Sequence, residues 1–346
     1  MSSLPAPTAP GFAERLLKGL AFVTRYRGIL ALAAVFLLGV AFSPRNATTG
    51  RSVFLAPGNQ ANVLFEYAEY GILAAGMTLV ILTAGIDLSV GSVLGLVATA
   101  FAWLLLAKGM SPLAAGLIAA ALGAFCGLIN GLVVSFLRLQ PFVATLAMMV
   151  AARGAAKVIS GGIKVQVGAQ DWYAVQKPPV HFFEWMTRGL AGDWLQPVTV
   201  LFLVTIIALA IVVRYTAFGR YLYAIGGNEE AARLSGVSVN RVRIMAYVLC
   251  GLCAALAGIC NASRMELGDP EAGFTYELDA IAAVVIGGTS LMGGVGGMML
   301  TFVGTLIIGY INKILSINAV EEAYRLLAKG AIIVAAVMIQ QKRGKS

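Results

Sequence analysis

Residues 70–92 read YGILAAGMTLVILTAGIDLSVGS and place one acidic residue, Asp87, after a long apolar run. Residues 70–86 carry no charge, and Gly85 and Gly91 flank the aspartate. A helix of this composition is apolar on every side, which is typical of a segment buried in a large core or in a lipid bilayer. The glycines predict that the helix breaks near Gly85 and that a new helix starts near Ser89.

The composition of the whole chain favours the bilayer. Of its 346 residues, 59% are hydrophobic, only 12% are charged and another 40 are glycine. A soluble fold of this size cannot bury so much apolar surface. The composition therefore excludes a soluble enzyme, a disordered chain and a disulfide scaffold, and it predicts an all-α polytopic integral membrane protein.

Apolar runs along the chain predict about ten transmembrane helices. A bilayer core about 30 Å thick needs about 20 apolar residues in a helix. Two of the runs contain charges, and each charge at a helix centre costs about 2.5–3.5 kcal/mol. The sequence gives no role to Arg153, Lys157, Lys313 or Lys329. The predicted spans are 28–43, 62–83, 88–107, 112–136, 142–160, 196–214, 243–262, 279–293, 297–314 and 325–341.

The basic residues indicate how the spans are oriented. They are densest in 1–27, in 214–243 and in 342–346. Cytoplasmic segments carry such an excess, so both termini are expected in the cytoplasm. Residues 1–27 are then a cytoplasmic tail with an interfacial helix, 28–341 form the membrane domain, and 342–346 are a second tail. The net charge of +9 is a signal of topology and does not indicate nucleic-acid binding.

A second glycine-rich break indicates that the chain has two related halves. Residues 276–294, YELDAIAAVVIGGTSLMGG, also run from a tyrosine through an apolar segment to glycines and hydroxyls. Placing Gly85 opposite Gly288 puts Asp87 opposite Ser290. Duplicated transport folds bind substrate where such broken helices meet. Backbone broken at membrane depth must be buried in protein or line a wet cavity, which makes Asp87, followed by Ser89, the most informative position in the first half.

Asp87 has two interpretations at this point. Either Asp87 caps the helix that starts near Ser89 and fixes the floor of a translocation path, or it is a plain N-cap that only bonds the amides of the next helical turn. Asp87→Ala should perturb the protein in either case. Gly123, Gly127 and Gly131 form a small-residue stripe that predicts close helix packing, and Asn130 beside it is expected to bond a neighbouring helix.

The predicted cytoplasmic loop 214–243 contains a short helix. Gly226 and Gly227 break the chain, Asn228 is a good N-cap, and Gly236 is a helix terminator. So short a helix is marginal in water on its own. It must dock, either on the helix ends of this chain or on a partner.

Five motifs, in this order, resemble the membrane subunit of ribose-type ABC sugar importers. The resemblance runs from about residue 62 to residue 340. It implies a ten-span permease of a bacterial inner membrane, with both ends cytoplasmic. The motifs are AGIDLSVGS (84–92), QPFVATLAMM (140–149), GGNEEAARLSGVSV (226–239), CGLCAALAGI (250–259) and YELDAIAAVVIGGTSLMGG (276–294).

The resemblance also implies a function and partners. A periplasmic binding protein would deliver a monosaccharide, such as ribose or a related sugar or polyol. Two permease subunits would form the path, expected to be a homodimer, with one copy beside a paralogue as the alternative, and a cytoplasmic ABC ATPase would drive it. The motifs AGIDLSVGS and GGTSLMGG would flank the passage, with Gly85, Asp87, Ser89, Gly91, Gly288, Thr289 and Ser290 as its residues. The chain departs from the pattern on the outer side or near the cavity mouth, at Glu66, Glu69, Lys313, Glu321 and Glu322. The segment that meets the ATPase would comprise Gly226, Gly227, Asn228, Glu229, Arg233, Leu234, Ser235 and Gly236.

The sequence predicts no chemistry of its own. Gly344-Lys345-Ser346 imitates the end of a phosphate-binding loop, but Ile339 stands where an earlier glycine is required. One histidine, His181, forms no catalytic constellation, and we expect no metal or cofactor. The alternative function is an ion-coupled secondary transporter, which broken helices also suit. Asp87 is then the only acid well inside the spans.

Overall fold

The structure is a computed structural model and describes residues 28–166, 178–190 and 195–341. The predicted tails, 1–27 and 342–346, lie outside these ranges. The described residues form helices and two isolated β-bridges, with no longer strand among them.

Fourteen helices lie within the described ranges. They are α1 (Gly28–Ala41), α2 (Pro57–Glu66), α3 (Ala68–Leu82), α4 (Val90–Ala102, continued by a π-helical turn at Trp103–Ala107), α5 (Pro112–Phe136), α6 (Pro141–Ser160), α7 (Pro178–Thr187), α8 (Pro197–Tyr215), α9 (Ala217–Gly227), α10 (Glu229–Leu234), α11 (Val239–Met265), α12 (Tyr276–Gly287), α13 (Met298–Ile317) and α14 (Glu322–Gln341).

Among the described residues, six helices are long and apolar enough to cross a membrane: α4 with its π-helical turn, α5, α6, α8, α11 and α13. The pair α2 and α3 makes a seventh candidate, bent by 47° where they join. Helix α1 is a shorter apolar helix. The predicted all-α polytopic membrane protein is therefore the fold observed.

Helix α12 is shorter than the span predicted at 279–293. It has 12 residues, which corresponds to about 18 Å of helix. It ends at Gly288, which adopts φ of 115°, a left-handed conformation that glycine adopts without a steric penalty. A helix of this length reaches only part of the way across a bilayer core.

Helices α3 and α11 form the centre of the bundle. Nearly every residue of α3 is buried, on all sides of the helix, as the opening stretch of sequence indicated. Helix α11 packs against α3, α4 and α5. A Cβ atom added to Gly127 of α5 would lie 2.2 Å from the Tyr247 carbonyl oxygen of α11. The glycine stripe of α5 therefore serves close packing of two helices within this chain, as predicted.

The four basic residues without an assigned role all have partners. Arg153 donates from Nη1 to the carbonyl oxygens of Pro270 and Ala272, at 2.6 and 2.7 Å. The other three are paired with carboxylates, which offsets the cost of placing a charge near lipid. These ion pairs are Lys157 with Glu271 (2.6 Å), Lys313 with Glu66 (3.0 Å) and Lys329 with Asp279 (2.8 Å).

Candidate translocation site and coupling loop

Asp87 lies in the break between α3 and α4, where it is buried. The Ser89 amide N–H donates to its Oδ1 at 2.9 Å, and the Ser89 hydroxyl donates to the same oxygen at 2.6 Å. Ser89, and not Asp87, occupies the N-cap position of α4. The simple N-cap interpretation of Asp87 is therefore wrong in position. The carboxylate instead closes a turn two residues before the cap.

Two neighbouring helices hold this break in place. Asn130 of α5 donates from Nδ2 to the Ser89 hydroxyl oxygen at 3.0 Å and lies 3.5 Å from both carboxylate oxygens of Asp87. The Thr145 hydroxyl of α6 donates to the Ile86 carbonyl oxygen at 3.3 Å. The prediction that Asn130 bonds a neighbouring segment is confirmed. In this conformation the carboxylate serves to fix non-helical backbone.

The second break, Gly288–Gly297, folds into a compact loop. The Thr289 side chain is buried, and its Oγ1 accepts from the Gly297 amide at 3.2 Å. The Ser290 amide donates to the Val295 carbonyl at 2.9 Å. A Cβ atom on Gly296 would lie 2.3 Å from Oγ1 of Thr289, so the loop needs glycine there. The predicted site residues Gly288, Thr289 and Ser290 thus belong to one turn.

The two breaks resemble each other in a register one residue away from the predicted one. The Gly85 amide bonds the Val80 carbonyl, and the Thr289 amide bonds the Val284 carbonyl, each five residues back. The residue just before each of these amides is left-handed: Ala84, with φ of 60°, precedes Gly85, and Gly288 precedes Thr289. This is the hydrogen-bond pattern of a Schellman helix end. Ala84 therefore corresponds to Gly288, and placing Gly85 opposite Gly288 is wrong.

Both breaks meet the end of α9, which lies within the predicted cytoplasmic loop 214–243. The Gly294 amide donates to the Leu82 carbonyl oxygen at 3.1 Å. A Cβ atom on Gly226 would lie 2.0 Å from that oxygen and 2.3 Å from the Gly294 nitrogen. The Tyr223 hydroxyl also donates to the Gly296 carbonyl, at 2.9 Å. The three segments predicted separately from the sequence therefore touch through their backbones.

The short helix predicted after Asn228 is present as α10. The Asn228 Oδ1 accepts from the Ala231 amide at 2.9 Å, and Gly236 adopts φ of 84° just beyond the helix end. The predicted N-cap is confirmed. Ala232 is buried, whereas Leu234 is 81% exposed. The helix thus docks on its own chain and leaves an apolar side chain free.

An ion-pair network attaches α10 to α11. The carboxylate of Glu229 accepts from Arg233 at 2.8 Å and from Arg243 of α11 at 2.6 Å. Partial burial opposes ionisation of Glu229, but the hydrogen bonds and charges of Arg243 and Arg233 outweigh it. They hold the pKa of this carboxyl below its usual value. The network therefore ties α10 to the first turns of α11.

Similarity to known proteins places the chain in a family. A family model described as the permease component of the branched-chain amino acid transport system matches residues 59–337. The chain belongs to this family of permeases. Its permease relatives include sugar importers, and the expected resemblance to ribose-type ABC permeases is confirmed.

Three relatives show how far the similarity of the permease extends. The ribose import permease protein RbsC of Escherichia coli K12 is 39% identical over 93% of this chain and 95% of its own length. The ribose import permease of Bacillus subtilis 168 is 42% identical over 84% of this chain and 87% of its own length. The D-allose transport system permease protein AlsC of E. coli K12 is 34% identical over 92% of both chains.

Two of the acidic residues that depart from the family pattern, Glu66 and Glu69, are paired in the permease. Glu69 of α3 is buried and bonds Arg264 and Asn261 of α11, the latter at 2.7 Å. Glu66 pairs with Lys313 at 3.0 Å. Sequence reasoning missed these pairs because their members lie about 190 to 250 positions apart. Within the described ranges, no group of three or more His, Cys, Asp or Glu residues could hold a metal ion.

Asp87→Ala should destabilise the permease, whereas Asp87→Asn should retain most of its stability. Alanine leaves the buried amide and hydroxyl of Ser89 without their acceptor, and each such buried group costs about 1–3 kcal/mol. Asparagine keeps an acceptor oxygen. The thermal unfolding midpoint of the purified variants in detergent measures the difference. An unfolding midpoint of the alanine variant equal to that of the unsubstituted protein would contradict this role for Asp87.

Gly226→Ala should lower both the unfolding midpoint and transport, and Gly227→Ala is its matched control. A Cβ atom at Gly226 collides with backbone, whereas none at Gly227 meets an atom within 4 Å. Overpacking of this kind costs about 1–3 kcal/mol. Unfolding midpoints and solute uptake by the reconstituted transporter provide the comparison. Equal behaviour of the two variants would show that the contact between the loop and the breaks is unimportant.

Proposed function

We propose that this permease forms the translocation path for a neutral monosaccharide in an ABC importer, with ribose or a related sugar or polyol as cargo. The relatives named above are ribose and D-allose permeases, and a fructose import permease of Bifidobacterium longum is 40% identical over 81% of this chain. These names favour a sugar over the amino acids in the family description. They also favour ATP-driven import over the ion-coupled alternative.

The observation that carries the proposal is the contact of Leu82, Gly226 and Gly294. It joins a cytoplasmic loop directly to the two helix breaks, with no flexible side chain between them. A force applied to α10 therefore reaches both breaks through backbone. An importer driven by a separate motor needs such a connection, because the motor acts on one face and the path must respond.

The proposed topology has ten spans with both ends in the cytoplasm of a bacterium and the chain in its inner membrane. The ends of α3, α9 and α12 lie side by side, as they must if the predicted spans 62–83 and 279–293 both run inward. The basic residues of 214–243 then lie on the cytoplasmic side, as positive residues usually do.

The proposed partners follow from this division. A cytoplasmic ABC ATPase supplies the energy, since Ile339 replaces the glycine that an ATP-binding loop in this chain would need. A periplasmic binding protein delivers the sugar, and a second copy of the permease completes the path within the bilayer. ATP binding closes the ATPases, which push the two α10 helices and shift the dimer between inward-facing and outward-facing states.

Leu234→Glu should uncouple the permease from its ATPase. Leu234 is an exposed large apolar residue of α10, and burying a leucine side chain contributes about 1.5–3 kcal/mol, so ATPase affinity should fall about tenfold or more. Thr48→Glu, in the exposed turn after α1, is the control. Co-purification of the ATPase and ATP-driven uptake in proteoliposomes are the measurements. Normal values for Leu234→Glu would remove α10 from the coupling mechanism.

A further inference from the structure

Residues Gly268–Thr275, here named the strap, leave the end of α11 and run back along α4. A Cβ atom on Gly268 would lie 2.9 Å from the Ala98 carbonyl oxygen of α4. One on Gly91 would lie 2.2 Å from the Gly273 carbonyl oxygen. The strap therefore descends along α4 from the level of Ala98 to that of Gly91.

The strap runs from the end of α11 back toward the start of α4. Gly258 of α11 packs against Leu94 of α4. Gly258 lies seven residues before Met265, where α11 ends, and Gly91 lies three residues before Leu94 in the sequence. At about 1.5 Å per helical residue, Gly273 lies about 15 Å from the end of α11. This distance is half of a hydrocarbon core about 30 Å thick.

Arg153 of α6 fixes the strap at this depth. Its Nη1 donates to the carbonyl oxygens of Pro270 and Ala272 at 2.6 and 2.7 Å. Gly91 and Gly273 face each other without side chains, so the two backbones touch. The strap is thus held in the bundle by hydrogen bonds and by close backbone contact.

The exposed side of the strap carries charged and polar groups. Non-helical backbone at membrane depth is tolerated only where protein buries it or where it lines a wet cavity. Glu271 and its partner Lys157 are each about half exposed, and Thr275 is exposed too. Charged side chains within membrane spans rarely face lipid. These groups favour a water-filled path along the strap and the adjoining face of α6.

The strap also carries an exposed aromatic ring. Phe274 is 73% exposed. Thr275, next to it, adopts φ of 67°, a conformation rare for a β-branched residue and typical of ligand clamps. An apolar ring beside a few polar groups is the usual composition of a small-molecule site. The ring suits the C–H face of a sugar, and the Lys157–Glu271 pair and the Thr275 hydroxyl suit its hydroxyl groups.

We propose that the strap contacts the sugar along the path, with Phe274, Thr275 and the Lys157–Glu271 pair as the contact residues. This inference rests on the proposed function and deepens it. It gives the permease a sugar site of its own, distinct from the binding protein. The ligand class is a neutral cyclic polyol that presents one apolar face.

Thiol labelling tests whether the strap is wet. The native cysteines Cys126, Cys250, Cys253 and Cys260 are buried, so Phe274→Cys adds an accessible thiol to a low background. Phe125→Cys is the matched control, because Phe125 is 57% exposed in the middle of α5. In the assembled importer, a charged membrane-impermeant thiol reagent should label position 274 at least about tenfold faster, since only a solvated thiol ionises readily. Equal rates at the two positions would overturn the inference.

Protection by ligand tests whether the strap binds sugar. D-ribose, D-fructose and D-allose are added at saturating concentration to the importer that carries Phe274→Cys, with L-leucine as the control solute. At least one sugar should slow labelling severalfold, and L-leucine should not. Protection by L-leucine alone, or by none of the solutes, would refute the site.

Uptake assays separate this inference from the proposed function. Phe274→Ala should weaken apparent sugar affinity roughly three- to tenfold, the range expected for one aromatic contact. Phe274→Tyr should restore it, and ATPase binding should not change. Normal ATP-driven uptake by Phe274→Ala would refute the strap site and leave the importer intact. Absence of ATP-driven uptake by the unsubstituted complex would instead refute the proposed function.

Discussion

Every amide and carbonyl that leaves a helix inside a bilayer must find a partner within the protein or in a water-filled cavity. The permease meets this requirement at its helix breaks with specific groups. The first break uses the Asp87 carboxylate and the Thr145 hydroxyl, and the second uses Thr289 and its own backbone. Arg153 does the same for the strap. Polar side chains that look like functional-site residues in the sequence therefore satisfy the hydrogen bonds of non-helical backbone.

Glycine provides the second part of the design, because it lets backbones touch where segments must move together. Gly226 contacts the Leu82 carbonyl and Gly294, and Gly91 contacts Gly273. Backbone atoms in direct contact cannot be pressed closer together, and close-packed interiors therefore transmit strain from one segment to the next. A push on α10 can thus reach the breaks without passing through mobile side chains. The ion pairs of Glu229 add a second connection, from α10 to α11.

The sequence predicted the features that depend on local pattern. Long apolar runs gave α5, α6 and α8 within about two residues, and Asn228 gave the start of α10. Features that depend on contacts between distant segments were not predictable. Ala84 adopts a left-handed conformation that no residue type marks, so the register of the two halves was misplaced by one position. The polar strap, Gly268–Thr275, reads as a surface loop, and only its contacts with α4 reveal its depth.

The central claim is that this chain is a gated conduit moved by a separate ATP-hydrolysing motor. Accumulation of a radiolabelled monosaccharide in proteoliposomes tests it most directly, with the permease reconstituted alone and then together with its ATPase and binding protein. We expect accumulation against a gradient only in the complete system and only with ATP. Accumulation by the permease alone, driven by a sodium or proton gradient, would contradict the account.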